Sequence, residues 1–152
     1  MKGDQLPDPD HVARYCGGST VEGKEILPPA FYLGPNETYL SVNWLEYLNC
    51  TNRLDEIKEV RKVLASKLSL GSIARIAVLN VGQVISHVMN NSPDSRELAI
   101  LHEPILREVT EESEQEPEDP SHSGIHNIKP EPEDVLIAEL IAQIVLKSYS
   151  AK

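Results

Sequence analysis

Aromatic side chains are scarce in this chain: one Trp, one Phe and five Tyr in 152 residues. Aliphatic residues must therefore supply most of any core. Cysteine is scarcer still. Cys16 and Cys50 are too few for a disulfide framework and read as free thiols in a reducing compartment. Basic residues are outnumbered, with 14 Lys and Arg against 24 Asp and Glu and a formal net charge of -10. That imbalance argues against general binding to a nucleic-acid backbone, which needs clustered cations, and against docking on anionic membranes. It leaves a basic protein partner or a metal ion open. The longest apolar run, Val135 to Leu146, is broken by Glu139 and Gln143 and is too short to cross a bilayer. Nothing apolar follows Met1-Lys2-Gly3-Asp4, so no signal peptide is expected and a cytoplasmic location is. The chain also lacks a Gly-rich phosphate loop, a dinucleotide fingerprint and a Gly-x-Ser-x-Gly elbow.

The composition that remains, 40% hydrophobic and 25% charged, is that of an ordinary globular protein, and the length suits one domain. Residues 1–10 read as an irregular lead-in, and 11–152 as a single small α+β domain with a mixed or antiparallel sheet. His11 to Cys16 reads as a short strand or a turn of helix. Ala30 to Leu33 and Tyr39 to Val42, separated by Gly34-Pro35-Asn36-Glu37, predict a hairpin. Asn43-Trp44-Leu45-Glu46 has capping-box spacing, with Asn43 at the cap and Glu46 reaching back to it. Helical periodicity predicts a helix over 52–68, with Leu54, Ile57, Leu64 and Leu68 on one side and Val60 near its edge. Ile73 to Val81 suits a buried strand, and Val81, Val84, Ile85, Val88 and Met89 follow as a short helix stopped by Asn90-Asn91 and Pro93. Glu97 to Leu101 predicts another strand. The acidic, Pro-containing stretch 108–120 predicts a flexible loop, and Ser121 to Ile128 a strand or structured loop. A final helix is expected over 132–149, opened by Glu131, Glu133 and Asp134 and ended near Lys147. Its wide apolar face, from Leu136 to Val145, is either core or a subunit interface.

Three groups of residues carry chemical interest. In His11-Val12-Ala13-Arg14-Tyr15, strand geometry puts His11, Ala13 and Tyr15 on one face and Arg14 on the other. Histidine titrates near neutrality, and arginine suits phosphate or carboxylate recognition. A surface His beside an Arg paired with a carboxylate accounts for the same residues. Next, Ser41 and Asn43 share a strand face and can line a polar pocket, with Trp44 as a core anchor. Last, His122 and His126 have a spacing that serves metals on a helix, but Ser123 stands where a metalloprotease places Glu, and Gly124 disfavours helix. No metal site or cofactor is therefore expected. The candidate catalytic set is His11, Arg14, Ser41 and His122.

Three segments taken together, His-Val-Ala-Arg-Tyr at 11–15, Leu-Ser-Val-Asn-Trp-Leu-Glu at 40–46 and Asp-Pro-Ser-His-Ser-Gly-Ile at 119–125, resemble a family of small uncharacterised bacterial proteins. That resemblance implies no activity. The order His11, Ser41, Glu46 more loosely resembles ADP-ribosyltransferase-like folds, which place a His on an early strand, a Ser or Thr on a later one and a Glu near the end. Here no late Glu sits in a convincing strand. Two functions follow as expectations. One is an interaction or accessory protein with a protein partner or a second copy of itself. The other is an enzyme acting on a nucleotide or NAD-like substrate through a pocket of His11, Ser41 and His122.

Overall fold

The computed structural model describes residues 2–106 and 118–152. Much of the expected acidic loop, 107–117, lies outside the described residues. The chain forms a single α+β domain. Its strands are β1 (His11–Cys16), β2 (Val21–Glu22), β3 (Glu25–Ile26), β4 (Leu40–Trp44), β5 (Arg75–Asn80), β6 (Ala99–His102), β7 (His122–His126) and β8 (Lys147–Ser150). Its helices are α1 (Arg53–Lys67), α2 (Val81–Asn91) and α3 (Val135–Ala142). Six strands make one antiparallel sheet in the order β6-β7-β4-β1-β5-β8, and β2 and β3 pair separately.

Both faces of the sheet are covered. Val12, Cys16, Leu40, Val42, Ala77, Leu79, Ile100 and Ile125 point to one side, where α2 and α3 close over them. Ala13, Leu45, Ile76 and Val78 point to the other side and meet Ile57, Val60 and Leu64 of α1. The alternation of these two sets along each strand is what a sheet buried on both faces requires. α1 starts where Asn52 accepts a hydrogen bond from the Asp55 N–H (2.9 Å), and α2 starts likewise at Asn80, which accepts from the Gln83 N–H (2.9 Å). Each such cap contributes about 1 kcal/mol.

Several expectations need correction. Ala30 and Phe31 lie in a 3-10 turn, not a strand, because Pro28 and Pro29 fix helical backbone angles at its start. β4 therefore pairs with β1 and β7 and not with 30–33. Asn43 is a strand residue and caps nothing. Leu54 of α1 and Leu68 just after it are exposed, since the stripe that meets the sheet is Ile57, Val60 and Leu64. The last helix ends at Ala142, and Lys147–Ser150 forms β8. The edge of β5 needs a partner, and Lys147-Ser148-Tyr149-Ser150 supplies one in register from Val78↔Lys147 to Arg75↔Ser150. Ile137, Ala138, Leu140 and Ile141 are buried in the core. The lead-in 1–10 holds no helix or strand among its described residues, but it docks on the sheet through an isolated bridge, Gln5↔Leu101. Gly3 and Leu6 donate backbone bonds to His102 and Ile100, His102 donates one to Asp4, and Leu6 is buried, so this segment covers the open edge of β6. The β8 edge is blunted by arginines: Arg61 donates to the Ser150 carbonyl (2.9 Å) and Arg75 to that of Ser148 (2.9 Å). Satisfied edges of this kind suppress strand-to-strand aggregation.

Candidate functional site

α1 crosses the sheet over β1 and β5 and leaves β4 and β7 less covered. A cleft of about 260 Å³ opens there. Its walls are Ala13, Arg14 and Tyr15 of β1, Ser41 and Asn43 of β4, His122 of β7 with Asp119 before it, and Leu64, Lys67 and Leu68 at the end of α1. It adjoins a wider groove of about 490 Å³ that shares Ser41, Lys67, Leu68 and His122 and extends to Tyr39 and Ile105.

A buried polar network fixes one wall. Asp119 is 1% exposed. Its carboxylate accepts from Lys67 Nζ (2.8 Å), Asn43 Nδ2 (2.8 Å) and Ser121 Oγ (3.2 Å). The same Asn43 amide also donates to Ser121 Oγ (2.9 Å). Asp119 and Ile105 exchange backbone bonds of 3.0 and 2.8 Å, which pins residues 105 and 119 to each other. A carboxylate this buried needs such partners, because desolvating an unpaired one costs several kcal/mol. Asp119 thus belongs to the folded domain, contrary to its place in the expected flexible loop. It ties β4, the approach to β7 and the end of α1 together.

His122 is held just as firmly. Its Nδ1 lies 2.8 Å from the Glu103 carbonyl oxygen. A carbonyl can only accept, so Nδ1 carries the proton and Nε2 keeps its lone pair in the neutral ring. Strand alternation aligns His122, Gly124 and His126 on one face, and the Tyr39 ring lies over that row. Its centroid is 5.8 Å from that of His122 and 4.8 Å from that of His126. A side chain at Gly124 would collide with the Tyr39 ring, which is why glycine stands between the two histidines. The His122/His126 spacing therefore seats an aromatic ring. Among the described residues, no group of three or more His, Cys, Asp or Glu is placed to hold a metal ion.

The structure brings together three of the four candidate residues. Arg14, Ser41 and His122 line the cleft. His11 does not. It lies across two strand spacings and two residues along the sheet from His122, about 12 Å between Cα atoms by ideal strand geometry. There its backbone N–H donates to Glu46 Oε1 (2.6 Å) and its Nδ1 sits 2.7 Å from Glu46 Oε2. Glu46 is thus a bidentate partner of His11, neither a capping residue for Asn43 nor a member of the cleft. Lys67 and Asp119 escaped the sequence reading. One signal for Lys67 was present: Ile57, Val60, Leu64 and Lys67 fall on one stripe of α1, so a charged side chain sits on the buried face.

Burial drives Arg14 below the ordinary arginine pKa, opposed by the charges of Cys16 and Glu37. Burial likewise pushes the Cys16 thiol up to about 11. Cys16 is 1% exposed, so it is a core residue and not a nucleophile.

No protein-family model, no curated protein and no solved structure matches the chain. The molecule is defined by its fold and site: an antiparallel sheet covered on both faces, with a polar cleft where one helix ends over it.

Proposed function

We propose that the chain is a small bacterial accessory protein of the cytoplasm that works by binding, and that what it binds is a small ligand in the cleft at the end of α1. The observation that supports this is the cleft itself: strand residues Ser41, Asn43 and His122, Lys67 at the end of α1 and Leu68 just after it converge on one concave site. Such a site, with a few fixed polar groups between apolar walls, is the usual form of a small-molecule pocket. The apolar face of α3, which argued for a protein partner, is largely spent on the core, so a partner or a second copy would use another surface. The test is a fragment screen read by ¹H–¹⁵N correlation spectra. The proposal expects fragments that shift the Ser41, Asn43 and His122 amides together. A library whose hits all fall elsewhere on the surface refutes it.

A second reading, an enzyme acting on a nucleotide or NAD-like substrate, is favoured by one observation. His122 Nε2 is left as an acceptor by the Nδ1 contact to Glu103, in the cleft that holds Ser41. In this reading His122 is the general base and Ser41 the group it activates or a contact for the substrate. His11 drops out of the site. Incubation with NAD and nucleoside phosphates, followed by product chromatography, checks it. Turnover that disappears in His122→Ala supports it, and unchanged substrates after long incubation at high protein concentration sink it.

A further inference from the structure

The ladder between β1 and β4 stops early. Its last registered pair is Ala13↔Asn43, yet β1 stays paired with β5 as far as Cys16 and β4 stays paired with β7 from Leu40. Two neighbouring strands therefore continue side by side without a shared ladder, and the cleft opens at that split. In an antiparallel ladder, alternate residues direct N–H and C=O toward the same neighbour. Leu45 donates to the His11 carbonyl (3.0 Å), so His11, Ala13 and Tyr15 direct their backbone groups toward β4, and Leu45, Asn43 and Ser41 direct theirs toward β1. The backbone groups of Tyr15 and Ser41 thus point into the split.

Arg14 spans it. Its Nη1 donates to the Ser41 carbonyl (2.9 Å) and its Nε to the Ala30 carbonyl (3.0 Å). These contacts use two of the five guanidinium N–H groups, and both acceptors are neutral. Among the described residues, the acidic side chain that acts on Arg14 is Glu37, and it is engaged by the Gly34 N–H (2.7 Å). A half-buried guanidinium whose partners are carbonyls gains from a charged acceptor that can take a two-pronged bond.

We infer that this split is an anion-binding notch, in which the carboxylate or phosphate head of a small ligand is received by the Arg14 guanidinium and the backbone N–H groups of Tyr15 and Ser41. The body of the ligand then lies in the cleft between Leu68 and His122. In a chain with a net charge of -10, an exposed acceptor of anions is otherwise disfavoured by long-range repulsion, so binding depends on these local donors. This inference rests on the cleft being a ligand site.

The experiment compares four probes with the same ring and different heads, benzoate, phenyl phosphate, benzamide and benzamidine, with inorganic phosphate as a fifth. Each is titrated into the whole chain and read by NMR shifts and calorimetry. Benzoate or phenyl phosphate should bind about tenfold or more tighter than benzamide, with shifts at the Tyr15 and Ser41 amides, and benzamidine weakest of all. The better of the two anions tells carboxylate from phosphate. Arg14→Lys keeps the charge but loses the fork and should weaken binding roughly 10- to 100-fold, the loss expected for a charge-assisted bond. Ser41→Pro removes one notch donor without a change of charge, at a position outside the β4–β7 hydrogen bonds, and should weaken the anions while sparing benzamide. It also keeps the inference testable if the Arg14 variant does not fold. Equal affinity for benzoate and benzamide, or anion binding unaffected in a folded variant, overturns the notch but leaves the cleft as a ligand site. Probes that shift no cleft amide overturn both.

Discussion

Replacing Lys67 by Met should destabilise the fold at least as much as replacing Asp119 by Ala, although the two remove opposite halves of one ion pair. The side chain of Asp119 is 2% exposed and that of Lys67 20% exposed, and they lie 2.8 Å apart. Asp119→Ala deletes acceptors for Lys67, Asn43 and Ser121. The stranded ammonium can turn toward water, because Lys67 ends its helix, and Asn43 keeps Ser121 Oγ as a partner (2.9 Å). Charge-assisted bonds contribute about 1.5–3 kcal/mol each and do not add fully, so the loss should be about 3 kcal/mol. Lys67→Met leaves a carboxylate that its backbone bonds to Ile105 hold in place, with no route to water. Its cost should be about 3–5 kcal/mol, the range for breaking a buried pair. Urea unfolding measures both. At this chain length the corresponding fall in Tm is about 2–4 °C per kcal/mol. A cost below about 1 kcal/mol for either variant, as for an exposed pair, or a clearly larger cost for Asp119→Ala, would refute the reasoning.

Three more outcomes follow from the packing. Gly124→Ala drives a methyl group into the Tyr39 ring and should cost about 1–3 kcal/mol; in a Tyr39→Ala background most of that cost should vanish, which a double-mutant cycle reads. Arg96 holds Asp134 through both Nη1 and Nη2 and also reaches the Asn127 carbonyl, and Asp134 raises its pKa further. Arg96→Lys should lose about 1–2 kcal/mol in thermal unfolding, because an ammonium cannot reproduce the fork. The Cys16 thiol is raised from 9.0 to about 11, so the unfolded chain sheds this proton first. Between about pH 9 and 11 the folded state binds more protons, and stability should fall with rising pH by up to about 3 kcal/mol. Subtracting the pH profile of Cys16→Ala isolates that slope, and parallel profiles would contradict it.

Elements governed by local signals were legible in the sequence. α1 and α2 followed from helical spacing, and β5 from its aliphatic run. Errors fell where distant residues decide. Asn43 has the spacing of a cap, but its amide is satisfied by Asp119, 76 residues away. Lys147–Ser150 continues a helical-looking stretch, but the open edge of β5 takes it as a strand. Glu46 was explained by a neighbour, and its partner is His11, 35 residues back. The candidate site shows the same division. Arg14, Ser41 and His122 stand out as polar residues on predicted or possible strands. Their convergence depends on strand order, and on a ladder that stops at Ala13, neither of which a hydrophobic pattern encodes.

The most direct test of the notch observes its cation. In a sample with ¹⁵N-labelled arginine, titrated with benzoate and with phenyl phosphate, the Arg14 guanidinium signals should shift in saturable fashion. The Tyr15 and Ser41 amides in a uniformly labelled sample should follow the same isotherm. Arg61 and Arg75, which serve the β8 edge, should stay in place. An Arg14 signal that does not move while other arginines do would contradict the account.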